Sequence, residues 1–215
     1  MSIFNIEEVK CVCGEVFEAE LISAISIADN PELKDHLLNG MINLAQCPKC
    51  SEVFYEDRFI LYHDSKDEFI AFVYPLICKS EYQKYREKML KEFGEAKKFL
   101  EKEHKINYKP VLFFGIDALV QAIRDRQDME DEEMVAEHIC RDLGLDTFQI
   151  SPSFARENEI PRIIPIEKNK KEDKFIIPAL DVLIKYNPNL ISYIKLNEKL
   201  SKNLSLINEI IKEKK

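Results

Sequence analysis

The chain has 215 residues, 46% of them hydrophobic and 33% charged, a globular composition that excludes wholesale disorder and a protein built of membrane spans. Its formal charge of −8 is uneven: residues 1–75 hold 5 Lys and Arg against 14 Asp and Glu, net −9, while the remainder nets +1. The acidic part would repel a phosphate backbone, so nucleic-acid binding through residues 1–75 is not expected.

The first ten residues carry Glu7 and Glu8 and lack the basic stretch and apolar run of a secretory signal. The longest apolar run, residues 69–78, contains Pro75 and is far too short to span a bilayer. Both readings predict a cytoplasmic protein without membrane insertion, in which thiols stay reduced.

In chain order, residues 3–10 read as a first strand, and the alternation of Phe17, Ala19, Leu21, Ile25 and Ile27 makes 16–27 a long second one. Asp29-Asn30-Pro31 is a helix-start signal, Leu33, Leu37 and Leu38 follow at helical spacing, and Gly40 stops the helix. Residues 41–46 return as a strand, and 53–61 with 69–74 form a hairpin around the polar stretch 63–68.

From Ser80 the period changes. Ser80 and Gln83 match a capping box, and Tyr82, Tyr85, Met89, Phe93, Ala96 and Leu100 mark a long amphipathic helix over 80–104. Helices follow at 111–126 and 130–143. The prolines at 152, 161 and 165 and the run Lys168-Asn169-Lys170-Lys171 predict a connection over 151–174. Two helical patterns occupy 175–215, the last with a stripe of Tyr193, Leu196, Leu200, Leu204, Ile207 and Ile211. The predicted fold class is α+β: a zinc-ribbon-like antiparallel sheet module with one short helix over 1–78, extending into helix 80–104, then a helical region 79–150, the linker and the C-terminal helices.

Chemistry concentrates in Cys11-Val12-Cys13-Gly14 and Cys47-Pro48-Lys49-Cys50, separated by 33 residues. Two tight turns brought together by a sheet supply two sulfurs each, the soft tetrahedral set that zinc takes. The alternatives are a redox dithiol, an iron centre and plain core thiols. Four cysteine ligands leave no position for a substrate water, so a zinc-hydrolase mechanism would need one ligand to be absent. Cys78 and Cys140 stand alone and read as small core residues.

These residues, together with Cys11-Val12-Cys13-Gly14-Glu15-Val16-Phe17-Glu18, Asp29-Asn30-Pro31-Glu32-Leu33-Lys34 and Leu61-Tyr62-His63-Asp64, resemble the CpXC domain family, a functionally uncharacterised family with paired cysteines. The similarity runs from about Lys10 into the long helix, leaving the last third of the chain outside it. The resemblance implies a metal role for Cys11, Cys13, Cys47 and Cys50 and no catalytic residue.

His63, Asp64, Asp67 and Glu68 share one turn, readable as an acid/base or metal cluster or as a solvated hairpin tip. His138 and Cys140, two apart in a helix, point in different directions, and His36 reads as a surface or capping residue. Only 5 glycines are present, with no Gly-rich phosphate loop and no Gly-x-Ser-x-Gly elbow. The expectation is a structural zinc protein with a protein partner. A nucleic-acid-associated zinc module is the alternative, and a thiol redox or hydrolytic enzyme the third reading, with no residue pattern naming a small-molecule substrate.

Overall fold

A computed structural model of the chain describes residues 1–100, 106–168 and 175–213. They form two compact units, Met1–Arg124 and Asp125–Lys215.

The first unit is built on a five-stranded sheet. Its strands are β1 (Ile3–Lys10), β2 (Val16–Ser26), β5 (Ile60–Asp64), β6 (Phe69–Tyr74) and β7 (Val111–Phe114), in the order β1-β2-β5-β6-β7. Between β2 and β5 the chain makes α1 (Glu32–Leu38) and a separate two-stranded ribbon of β3 (Leu44–Gln46) and β4 (Val53–Tyr55). The α+β class holds, but the sheet is mixed rather than antiparallel: β2 pairs with β5 in parallel and β6 with β7 in parallel. The reason lies in the connections. A long excursion between β2 and β5, and a helix between β6 and β7, each bring the chain back in its original direction, which a tight hairpin cannot do.

Both faces of the sheet are covered at its centre. Leu33 and Leu37 of α1, with Leu119 and Ile123 of α3 (Ile116–Asp142), pack on Ile25, Ile60, Tyr62, Ala71 and Val73. Met89, Tyr85 and Phe93 of α2 (Tyr82–Leu100) pack on Ile70, Phe72 and Tyr74 from the other side. Every residue of β6 is buried, as expected of a strand covered twice. Fully buried Leu37 is a keystone of this layer, and truncation to Ala costs about 2–5 kcal/mol at such a site.

Three expectations fail here. Residues 111–114, predicted helical, are a strand, because a short apolar run of Val, Leu and Phe is decided by its partner, and β6 offers one. The helix expected to start at Ser80 begins at Tyr82, after a 3₁₀ turn over Leu76–Glu81 in which the Ser80 hydroxyl donates to the Ile77 carbonyl. Residues 101–104 of the expected helix, and the side chains of Ala96 and Leu100, lie outside what is described. The two helices expected over 111–126 and 130–143 are one, α3.

The second unit joins the rest of α3 to an antiparallel pair, β8 (Asp146–Gln149) and β9 (Ile163–Ile166), and to α4 (Pro152–Asn158), α5 (Ile176–Tyr186), α6 (Ile191–Lys202) and α7 (Ser205–Lys212). The stretch 151–174, predicted to be a connection, therefore carries α4 and β9, with residues 169–174 outside the described set. Pro152 and Pro165 misled because both are placed where proline is tolerated. Pro152 stands at the first turn of α4 behind Ser151, whose hydroxyl caps Phe154 N–H. Pro165 lies in a strand of a two-stranded ribbon, which has free edges.

Tyr193, Leu196, Leu200 and Ile207 are buried as the stripe required. Leu204 is exposed, because the chain breaks between α6 and α7 there. Cys140 is buried in this core, and Cys78 is half-buried beside α2 in the first unit.

Candidate metal centre

Each cysteine pair occupies the loop of a hairpin. Pairing of β1 with β2 ends at Lys10 and Val16, and pairing of β3 with β4 ends at Gln46 and Val53, leaving loops 11–15 and 47–52. Both close in the same way. The amide of the first cysteine donates across the loop, Cys11 to the Glu15 carbonyl and Cys47 to the Glu52 carbonyl, each at 2.8 Å. Its own carbonyl accepts from the residue after the second cysteine, Gly14 or Ser51, each at 2.9 Å. That residue takes a positive φ in both loops, 89° at Gly14 and 60° at Ser51. The Cys-x-Cys loop thus repeats the Cys-x-x-Cys loop bond for bond, with one residue fewer between the sulfurs.

The loops face one another. Cys11 Sγ lies 3.6 Å from Cys50 Sγ, and Cys13 Sγ lies 3.7 Å from Cys47 Sγ; all four sulfurs fall within 4.8 Å of each other. These separations are too long for disulfides, whose sulfurs sit about 2.05 Å apart, and all six cysteines are free. They match a tetrahedral metal centre, in which metal–sulfur bonds of about 2.3 Å place the sulfurs about 3.8 Å apart. One cysteine of each pair is buried, Cys11 and Cys47, and one exposed, Cys13 and Cys50.

Packing and one polar clamp hold this approach. Val9 and Leu21 of the first hairpin bury Ala45 of the second, with Phe17 and Phe54 edge-to-face at 6.3 Å beneath the loops. Buried Asn43, at φ 53°, accepts the Ile22 amide at 2.7 Å and donates to the Ile22 carbonyl at 3.2 Å, tying the start of β3 to β2. At the surface Lys49 of the later loop meets Glu15 of the earlier one at 3.2 Å.

The thiols do not ionise independently. Burial pushes Cys47 up, yet the amides of Cys50 and Lys49 and the thiols of Cys50 and Cys11 outweigh it and bring it down to about 7. At Cys11 the Cys13 amide draws the thiol down, but burial and the three other thiols push it to about 12. Negative charge gathered on one sulfur thus holds its neighbour protonated, and a central cation removes that conflict.

The four cysteines expected from the sequence are therefore brought together, and among the described residues no other His, Cys, Asp or Glu cluster has metal-ligand spacing. His63 and Asp64 do not form a site, since adjacent residues of β5 point to opposite faces. His63 Nε2 hydrogen-bonds Tyr108 Oη at 2.7 Å. Asp64 accepts the amides of Lys66 and Asp67 and pairs with Lys34 at 3.5 Å, which makes this hairpin tip a structural turn. His138 pairs with Asp142 along α3. Sequence reasoning missed Asn43; its only signal was a lone amide between Ile42 and Leu44.

A family model described as CpXC protein matches residues 9–137. The chain belongs to the CpXC family. The match takes in both cysteine loops of this CpXC protein, its whole sheet from Val9 onward, α2 and most of α3, so it reaches further than the resemblance to the hairpin and long helix. No curated protein matches the chain, and no solved structure does. No helix of this CpXC protein, among the described residues, is long and apolar enough to cross a membrane.

Proposed function

We propose that Cys11, Cys13, Cys47 and Cys50 hold one structural zinc ion, and that the module it pins serves a cytoplasmic protein-interaction or scaffolding role. The observation that carries this reading is the pair of cross-loop sulfur approaches, 3.6 and 3.7 Å, between loops that share one hydrogen-bond pattern. Zinc would supply charge neutralisation and a cross-link. The chain's own contribution is to present four sulfurs and to direct the amides of Lys49 and Cys50 at Cys47.

A closed set of four ligands leaves no coordination position for water, which argues against metal-assisted hydrolysis. The net −9 of residues 1–75 argues against a nucleic-acid role, and a mobility assay at low salt tests that directly. The thiol redox reading draws support from the depressed Cys47 thiol and the exposed Cys13 and Cys50. Thiol titration separates the two: a closed centre reacts only after a chelator is added, whereas a redox pair reacts at once.

Elemental analysis of the purified full chain is the deciding measurement, with one zinc per chain expected. Cys13→Ser, at an exposed ligand, is expected to weaken zinc retention and lower Tm. A chain without bound metal, or an unchanged Tm on both Cys13→Ser and chelation, would overturn the proposal, and iron in place of zinc would overturn its choice of ion.

A further inference from the structure

The sheet face that α1 and α3 cover is left uncovered over the β1–β2 hairpin. Phe4 pairs with Ile22, Ile6 with Glu20, Glu8 with Glu18 and Lys10 with Val16, and directly paired residues share a face. Ile22 is the last of this row to enter the core. Beyond it Phe4 and Val16 are each 47% exposed and Ile6 is 72% exposed, and Glu8, Lys10, Glu18 and Glu20 are exposed as well. The opposite face is closed, by Val9, Phe17 and Leu21 against the second hairpin. An apolar strip thus lies beside three carboxylates and one ammonium.

Charge selects what could cover it. Glu8 and Glu18 are directly opposed, an arrangement that costs stability in the free protein. Two copies meeting through this face would bring three carboxylates against three more, and an anionic lipid surface or a phosphate backbone meets the same repulsion. An apolar segment bearing Lys or Arg fits both features, burying Phe4 and Ile6 and separating Glu8 from Glu18 with a cation.

We propose that this face docks a basic, amphipathic segment of a partner protein. The inference rests on the interaction role proposed above and gives that partner its chemistry.

The test is selection from a displayed library of random linear peptides against the metal-loaded full chain. Enriched peptides are expected to combine apolar residues with Lys or Arg, and their affinity is expected to fall with rising salt. Joint replacement Glu8→Gln, Glu18→Gln and Glu20→Gln is expected to weaken them about tenfold or more, as is Ile6→Ser, at an unchanged Tm. Should a variant misfold, amide chemical shifts of the isotope-labelled unmodified chain carry the same answer, with changes centred on Phe4, Ile6, Glu8, Val16, Glu18 and Glu20. No enrichment, acidic or uncharged peptides, mapping to another surface, or self-association broken by Ile6→Ser would each overturn the proposal. Metal content measured on the same sample keeps the outcomes apart. A zinc-loaded chain that fails to bind refutes the docking face alone, whereas a metal-free chain that binds refutes the zinc centre alone.

Discussion

The side-chain amide of Asn43 engages both main-chain groups of Ile22, accepting from its N–H at 2.7 Å and donating to its carbonyl at 3.2 Å. It mimics one rung of a sheet ladder on the edge of β2 away from β1, where the pairing with β5 begins only at Ala24. Asn43 also sets the second hairpin, since its own carbonyl accepts from Glu56 N–H at 2.9 Å. This one amide thus joins the packing beneath the loops in fixing their relative position.

Asn43→Leu is expected to destabilise the metal-loaded protein by about 1–3 kcal/mol, the cost of an unsatisfied buried group, together with weaker metal retention. Asn43→Gly relieves the positive φ but removes the clamp. Urea denaturation should find it destabilised as well; wild-type stability in the Gly variant would show that backbone conformation, not the clamp, matters.

Ser51 and Gly14 hold equivalent positions at positive φ, which costs a non-glycine residue about 1 kcal/mol. Ser51→Gly is expected to leave Tm unchanged or raise it slightly, because strain relief offsets the added freedom of the unfolded chain. Gly14→Ala is expected to lower Tm although no atom lies within 4 Å of the added Cβ. Thermal melts of the two variants should move in opposite directions or, at the least, only Gly14→Ala should fall.

In the second unit, buried Glu133 accepts two bonds from Arg126, at 3.0 and 2.7 Å, and one from the Arg162 amide at 2.6 Å, with the Arg162 guanidinium 3.5 Å away. Removing one member strands the others. Glu133→Ala is expected to cost about 3–5 kcal/mol, and Arg162→Met less, because Arg126 still pairs with the carboxylate. Chemical denaturation of the full chain checks the ranking.

Acidification is expected to release the metal, since protons compete for thiolates. Without metal the Cys47 thiol keeps its own signature. Its folded value, about 7, lies below its ordinary 9.0, so its contribution is present above pH 9 and is lost as pH falls through 7. Stability of the chelated protein should accordingly rise between pH 7 and 9, and a flat profile of urea midpoints over that range would contradict the assignment.

The cysteine cluster was legible because its signal is local: each tight turn sets two cysteines within four residues. The long alternating strand β2 and the α1 helix behind Pro31 were legible for the same reason. What was not legible depends on distant partners. Residues 111–114 become a strand only because β6 lies beside them, and the parallel pairing of β2 with β5 leaves no local mark. Pro152 and Pro165 read as breakers because a proline signals what it forbids, not whether the fold needs it. Asn43 escaped because a polar residue in a short apolar stretch looks like an edge position until its partner is known.

The sulfur contacts run between loops, joining residues 39 and 34 apart in sequence, rather than within either loop. An ion bound there would be a detachable cross-link across β2, α1 and β3, and because the four sulfurs meet only once both hairpins stand, its binding free energy would be folding free energy. With the ion in place the two hairpins would be held by more than their own contacts, and without it their meeting is left to Asn43, the Lys49–Glu15 ion pair and a handful of apolar side chains.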